Sequence, residues 1–91
     1  MINYAVIGTS NIAYQYVKAS EISGKFSLNA VYSRNNDTGS DFARKCNCDK
    51  VYTSLESLAC DKDIEAVYIA SPNACHMKQT ELMLKSGKHV I

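Results

Sequence analysis

A chain of 91 residues has room for one hydrophobic core and five or six short elements, which excludes two domains. Its 10 basic and 9 acidic side chains nearly cancel, leaving no field that would gather nucleic acid or an anionic membrane surface, so the expected ligand is small. No apolar run approaches the roughly 18 residues of a membrane span, and Met1 leads into a strand pattern without a basic leader, so no membrane partner and a cytoplasmic setting are expected.

Taken in chain order, INYAVI (Ile2 to Ile7) is short and mostly apolar, as a strand covered on both faces should be. It breaks at Gly8. From Asn11 to about Ser23, Ile12, Tyr16 and Ala19, with Ala13 and Val17 beside them, recur at helical spacing, and Gly24 is a stop signal. Phe26 to Ser33 reads as a second strand, with Leu28, Ala30 and Tyr32 on one face and Asn29 and Val31 on the other. The stretch RNNDTGS turns the chain. Phe42, Ala43 and Cys46 mark the inward stripe of a second helix, and Lys50 to Thr53 makes a third strand short enough for a sheet edge.

Thr53 with Glu56 forms a capping-box pattern for a short helix carrying Leu55 and Leu58, closed by the polar loop Asp61 to Asp63. EAVYIAS (Glu65 to Ser71) is the fourth strand. Pro72 ends its pairing, and Asn73 suits the N-cap of a helix from about Ala74 to Ser86 with Met77, Thr80, Met83 and Leu84 on its core face. Gly87 closes that helix, with Lys85 and Lys88 at the negative end of its dipole, and His89 to Ile91 starts a fifth strand. Alternating strands and helices build right-handed βαβ units, so the expected class is α/β: a three-layer, Rossmann-type parallel sheet of order 3-2-1-4-5 with helices on both faces. Because the pattern stops inside the fifth strand, the fold is expected to be truncated, with a domain boundary beyond Ile91.

Chemistry concentrates at the first turn. The dinucleotide fingerprint G-x-G-x-x-G/A reads here Gly8-Thr9-Ser10-Asn11-Ile12-Ala13, matching at two of three positions. Gly8 permits the tight turn and Ala13 permits close helix-sheet packing. Ser10 stands where a glycine lets backbone approach a pyrophosphate, so it must keep its side chain aside or use its hydroxyl as a phosphate donor. About 20 positions on, where an acidic residue would bind the ribose of NAD, the chain has Ser33 and Arg34, a hydroxyl and a guanidinium suited to the 2′-phosphate of NADP. The cofactor expected is therefore NADP, with NAD still open because Asp37 could reach a ribose. Ser71 to His76 (SPNACH) follows the fourth strand at the expected crevice. There Asn73 could offer its amide to a nicotinamide or ribose, and His76 could face the ligand or pack as a structural histidine.

Other chemistries fit poorly. Cys46, Cys48, Cys60 and Cys75 contain no C-x-x-C pair and have no histidine at ligand spacing, so no metal site is expected and the thiols read as small packing groups. The sequon at Asn36 is inert without a secretory signal. A P-loop ending in Gly87-Lys88 fails twice, with Leu82 at its first glycine position and His89 in place of Ser or Thr. A receiver-type domain needs acidic residues after its first strand, and Gly8, Thr9 and Ser10 provide none.

Together VIGTSNIA, AVYSR, FARK with VYTSLESL, and EAVYIASPNACH leading into SGKHVI resemble the N-terminal nucleotide-binding domain of the glucose-fructose oxidoreductase/inositol dehydrogenase (Gfo/Idh/MocA) family over nearly the whole chain. The resemblance implies an NAD(P)-dependent oxidoreductase that moves a hydride to or from a hydroxyl-bearing carbon of a sugar, cyclitol or related molecule. By the family pattern Gly8, Ser10, Asn11 and Ile12, with Thr9 in the same turn, line the pyrophosphate. Ser33 and Arg34 line the adenosine ribose, and Ser71, Pro72, Asn73 and His76 the nicotinamide side. The family's E-K-P motif, whose lysine assists proton transfer, would follow Ile91, and the substrate domain would lie further on, so no catalytic residue is assigned among these 91. Half a site gives little rate, since a hydride needs a positioned acceptor as well as a positioned cofactor. Homo-oligomerisation through an exposed sheet edge or an uncovered helix face is also expected. The alternative is a stand-alone dinucleotide-sensing or degenerate module without catalysis.

Overall fold

A computed structural model of the chain describes residues 2–70 and 73–91, with the backbone only at 73–76. Five strands, β1 (Ile2–Ile7), β2 (Phe26–Tyr32), β3 (Val51–Tyr52), β4 (Ala66–Ile69) and β5 (His89–Val90), alternate with helices α1 (Asn11–Ser23), α2 (Asn36–Lys45), α3 (Leu55–Ala59) and α4 (Asn73–Lys85). All pairings are parallel and the order is β3-β2-β1-β4-β5, as expected from the βαβ alternation. β1 is central, and Tyr4 to Ile7 have no exposed surface at all. On one face Val6 and Val31 pack with Ala13 and Val17 of α1 and with Phe42 and Ala43 of α2. On the other, Ala5, Ile7, Val67 and Ile69 pack with Leu58 of α3 and Met83 of α4. The result is a three-layer Rossmann-type sandwich.

Several local expectations need correction. The buried stripe of α1 is Ala13, Val17 and Ser20, one residue out of phase with Ile12, Tyr16 and Ala19; Ile12 is 65% exposed. Ser10 caps the helix, and that start turns the smallest available residue, Ala13, to the sheet. Ser20 is accommodated inside because its hydroxyl donates to the Val17 carbonyl at 2.7 Å. With that proton committed, the Tyr4 hydroxyl is the donor of the 2.7 Å bond between Tyr4 and Ser20. Burial pushes the Tyr4 phenol up to about 12.

In β2 the register with β1 jumps from Tyr4↔Leu28 to Ala5↔Ala30, leaving Asn29 as an extra residue. That bulge defeats simple alternation. Leu28 joins Val31 on the α1/α2 face, while Ala30 and Tyr32 face α3 and α4. The expected turn RNNDTGS is largely helix: Asn35 caps α2, its Oδ1 accepting from the amides of Asp37 and Thr38. Ser54, rather than Thr53, caps α3, accepting from the Ser57 amide.

Edge strand β3 and strands β4 and β5 are each shorter than expected. On α4 only Met83 of the four expected core residues is buried, Thr80 is partly so, and Met77 and Leu84 are 75% and 58% exposed. The helix closes in a Schellman motif at Gly87 (φ 83), with Lys88 N–H donating to Met83 O and Gly87 N–H to Leu84 O. Lys88 is buried instead of facing the dipole in solvent, its Nζ donating to the carbonyls of Asp61 and Ile64 at 2.6 and 2.9 Å.

Candidate cofactor-binding site

The β1–α1 turn is built by one backbone conformation and one cap. Gly8 has φ 110, a region closed to most side-chain-bearing residues, and its amide donates to Tyr32 O, so the chain leaves β1 tied to the end of β2. Ser10 (φ −75, ψ 170) then caps α1, its Oγ accepting from the Ala13 amide at 3.3 Å and its carbonyl from the Tyr14 amide at 3.0 Å. The N–H groups of Asn11 and Ile12, earlier in the same turn, have no intrahelical acceptor. No acidic residue stands in that first turn, so the positive end of the helix dipole is not offset. Such an arrangement fits a diphosphate: free amides, a positive terminus and a glycine where the backbone must bend.

Neighbouring strands bring the other expected residues to the same carboxyl edge. Ser33 follows β2 but is 8% exposed, its Oγ accepting from the Asn35 amide at 3.3 Å. Arg34 is exposed directly before the α2 cap, and Asp37 lies in the first turn of α2, also exposed. Asn73 and His76 belong to the first turn of α4 by backbone, beyond the end of β4. Their side chains, together with Ser71 and Pro72, lie outside the described residues. β1 sits between β2 and β4, where the order reverses direction, and such a switch point opens the crevice in which doubly wound sheets bind ligands.

Three wall residues escape the sequence reading. A cleft of about 310 Å³ beside the turn is lined by Thr9, Ser10, Asn11, Tyr14, Phe42 and Lys45. Tyr14 and Phe42 meet edge to face, with centroids 6.4 Å apart, and the Lys18 amine lies 5.4 Å from the Tyr14 centroid. The signal was available in the helix phase, since Tyr14 is four residues after Ser10 and Lys45 three after Phe42. Right-handed crossovers from β1 to β2 to β3 put α1 and α2 on one face of the sheet, but the linear sequence does not fix how each helix is rotated, and so does not bring Tyr14 to Phe42.

Residues 2–91 match the family model described as an oxidoreductase family with an NAD-binding Rossmann fold. The chain belongs to the Gfo/Idh/MocA family. It is 47% identical over its whole length to the uncharacterized oxidoreductase YgjR of Escherichia coli (strain K12), and 40% identical to scyllo-inositol 2-dehydrogenase (NADP(+)) IolU of Bacillus subtilis (strain 168). It spans 28% of the length of each. Among solved structures it is similar to KijD10, a 3-ketoreductase from Actinomadura kijaniata crystallised with NADP and TDP-benzene, at 27% identity and a TM-score of 0.91, over 99% of this chain and 28% of that one. This stretch of the Gfo/Idh/MocA oxidoreductases is their NAD(P)-binding domain.

Proposed function

We propose that residues 1–91 are the cofactor-binding domain of a longer enzyme that uses NADP(H) to move a hydride to or from a hydroxyl-bearing carbon of a sugar, cyclitol or related small molecule. The β1–α1 turn carries this reading: a left-handed glycine delivers the uncapped amides of Asn11 and Ile12 to the sheet's switch point without an opposing carboxylate. When bound, the nicotinamide ring supplies the hydride chemistry. The chain's own residues bind and orient it.

Gly8, Thr9, Ser10, Asn11 and Ile12 hold the pyrophosphate, with the Ser10 hydroxyl still able to donate its proton while its oxygen caps α1. Ser33 acts from beneath by fixing the β2–α2 corner, and Arg34 presents its guanidinium to the adenosine end. Ser71, Pro72, Asn73 and His76 take the nicotinamide side. NADP is favoured over NAD because neither position 33 nor position 34 carries a carboxylate that would repel a 2′-phosphate. Similarity to an NADP-dependent inositol dehydrogenase supports both the cofactor and a polyol substrate. The acceptor site and the proton-transfer lysine come from outside these residues, and orientation of cofactor against acceptor accounts for much of the barrier reduction.

Titration of the native-length protein with NADPH and with NADH, read by nicotinamide fluorescence, tests the reading. Saturable binding is expected, tighter for NADPH. A folded sample that saturates with neither dinucleotide overturns it.

A further inference from the structure

On the face of the sheet that carries α1 and α2, the helical layer stops short. Those two helices pack over β1, β2 and β3, while α3 and α4 pack on the opposite face. α1 reaches β4 through the Tyr16 ring stacked on Tyr68 at 3.9 Å, and no helix of the described residues lies beyond it over β5. Val90 packs with Val67 into the α3/α4 layer, so alternation turns His89 and Ile91 to the other side, beside Ala66, Tyr68 and Ala70. This floor carries no charged residue and has His89 at its amino end. Tyr68 is only partly buried there, and Ile91 is 46% exposed. A parallel sheet is normally covered on both faces, and here half of one face is bare. β4 and β5 together are about 10 Å across, which is the width of one α-helix.

We propose that this shelf seats an amphipathic α-helix supplied by the same polypeptide beyond residue 91, lying alongside α1 and completing the layer over β4 and β5. This rests on the reading of the chain as one domain of a longer enzyme. The relatives have the length for it, since the chain spans 28% of YgjR and of IolU and most of each lies outside the matched stretch. Ile91 is itself part of the floor, so a segment that follows it starts at the shelf rather than across the molecule. Tethering favours such a segment over a second copy, because a linked partner acts at an effective concentration of about millimolar.

The test uses the native-length protein without dinucleotide. Hydroxyl-radical footprinting should label Tyr16 and Tyr68 at least about threefold less than Tyr14, which is also partly buried but faces Phe42 from the other side of α1. Tyr68→p-benzoylphenylalanine, irradiated and mapped by mass spectrometry, should link within one chain to a segment beyond residue 91 whose apolar residues recur at helical spacing. Links confined to residues 1–91, or labelling of Tyr16 and Tyr68 equal to that of Tyr14, show an open shelf and overturn the inference. A product of doubled mass on a denaturing gel puts a second copy there and overturns it as well. Titration of the same sample with NADPH keeps the two readings apart: saturable binding with an open shelf leaves the dinucleotide site standing, and a covered shelf without binding overturns the cofactor reading alone. A native polypeptide that ends at residue 91 removes the longer enzyme and its covering helix together.

Discussion

Asp61 shows how one side chain outside the cofactor site holds a corner of the fold. Its Oδ2 accepts from the Tyr52 hydroxyl at 2.6 Å and from Lys50 Nζ at 2.9 Å, and its Oδ1 accepts from the Asp63 amide at 3.0 Å. The Tyr52 hydrogen bond, followed by that of Lys50, holds the carboxyl down at about 2 from an ordinary 3.8. The Tyr52 phenol is correspondingly raised by the carboxylate it binds. A carboxyl with a depressed folded pKa adds stability that is complete above its unfolded value and disappears as pH falls through the folded one. The stabilisation is therefore about 2 kcal/mol at neutral pH, lost between about pH 4 and pH 2. Chemical denaturation of wild type and Asp61→Asn across that range should show a gap that closes on acidification. A gap independent of pH would mean that packing, not charge, is what Asp61 contributes. In the sequence Asp61 reads only as part of a polar loop, because Tyr52 of edge strand β3 and Lys50 just before it meet Asp61 only once the chain has folded. Gly8, Ser10 and Ala13 are legible for the opposite reason: strand, turn and helix start lie within one short stretch.

Between elements, contact distance decides what the sequence pattern leaves open. Helix α2 carries Gly39 in its interior, where a helix normally loses about 1 kcal/mol relative to alanine. A Cβ there would stand 2.9 Å from Val51 Cγ1 and 3.0 Å from Ser33 Cβ. Neither neighbour yields cheaply, since Val51 is β-branched and Ser33 Cβ is fixed to the backbone at the end of β2. The overlap outweighs the propensity gain, so Gly39→Ala should destabilise by about 1 kcal/mol or more. Equilibrium urea unfolding checks the sign, and a stabilised variant would show that β3 shifts freely at the sheet edge. The same closeness explains why NDTGS looks like a turn from composition and is helix in the structure: the glycine serves helix-sheet approach rather than chain reversal. The bulge at Asn29 is a comparable case. A period of two predicts which face a residue takes only while the register holds, and one extra residue moves Leu28 to the other layer.

For the whole molecule, strand order and layering were legible because each βαβ unit has one hand and few ways to pack. The faces of α1 and α4 were not, since both helices carry apolar residues on more than one side. Tyr16 of α1 stacks on Tyr68 of β4 with centroids 3.9 Å apart, and those rings cover part of each other's surface. Met77 and Leu84 have no such cover. They lie seven residues apart, two turns along the same side of α4, and are 75% and 58% exposed. The two sheet edges offer less, because β3 and β5 pair over only two residues each and present little unpaired backbone. If the 91-residue chain is prepared by itself, association should therefore run through α4. Sedimentation velocity at about 100 µM should detect species larger than a monomer, in the weak range expected of a small apolar contact. Met77→Lys combined with Leu84→Lys should return the chain to a monomer without lowering its thermal stability, as neither side chain is packed inside. A wild-type chain that stays monomeric removes the helix-face route, and a double variant that associates as before moves the contact to the sheet edge.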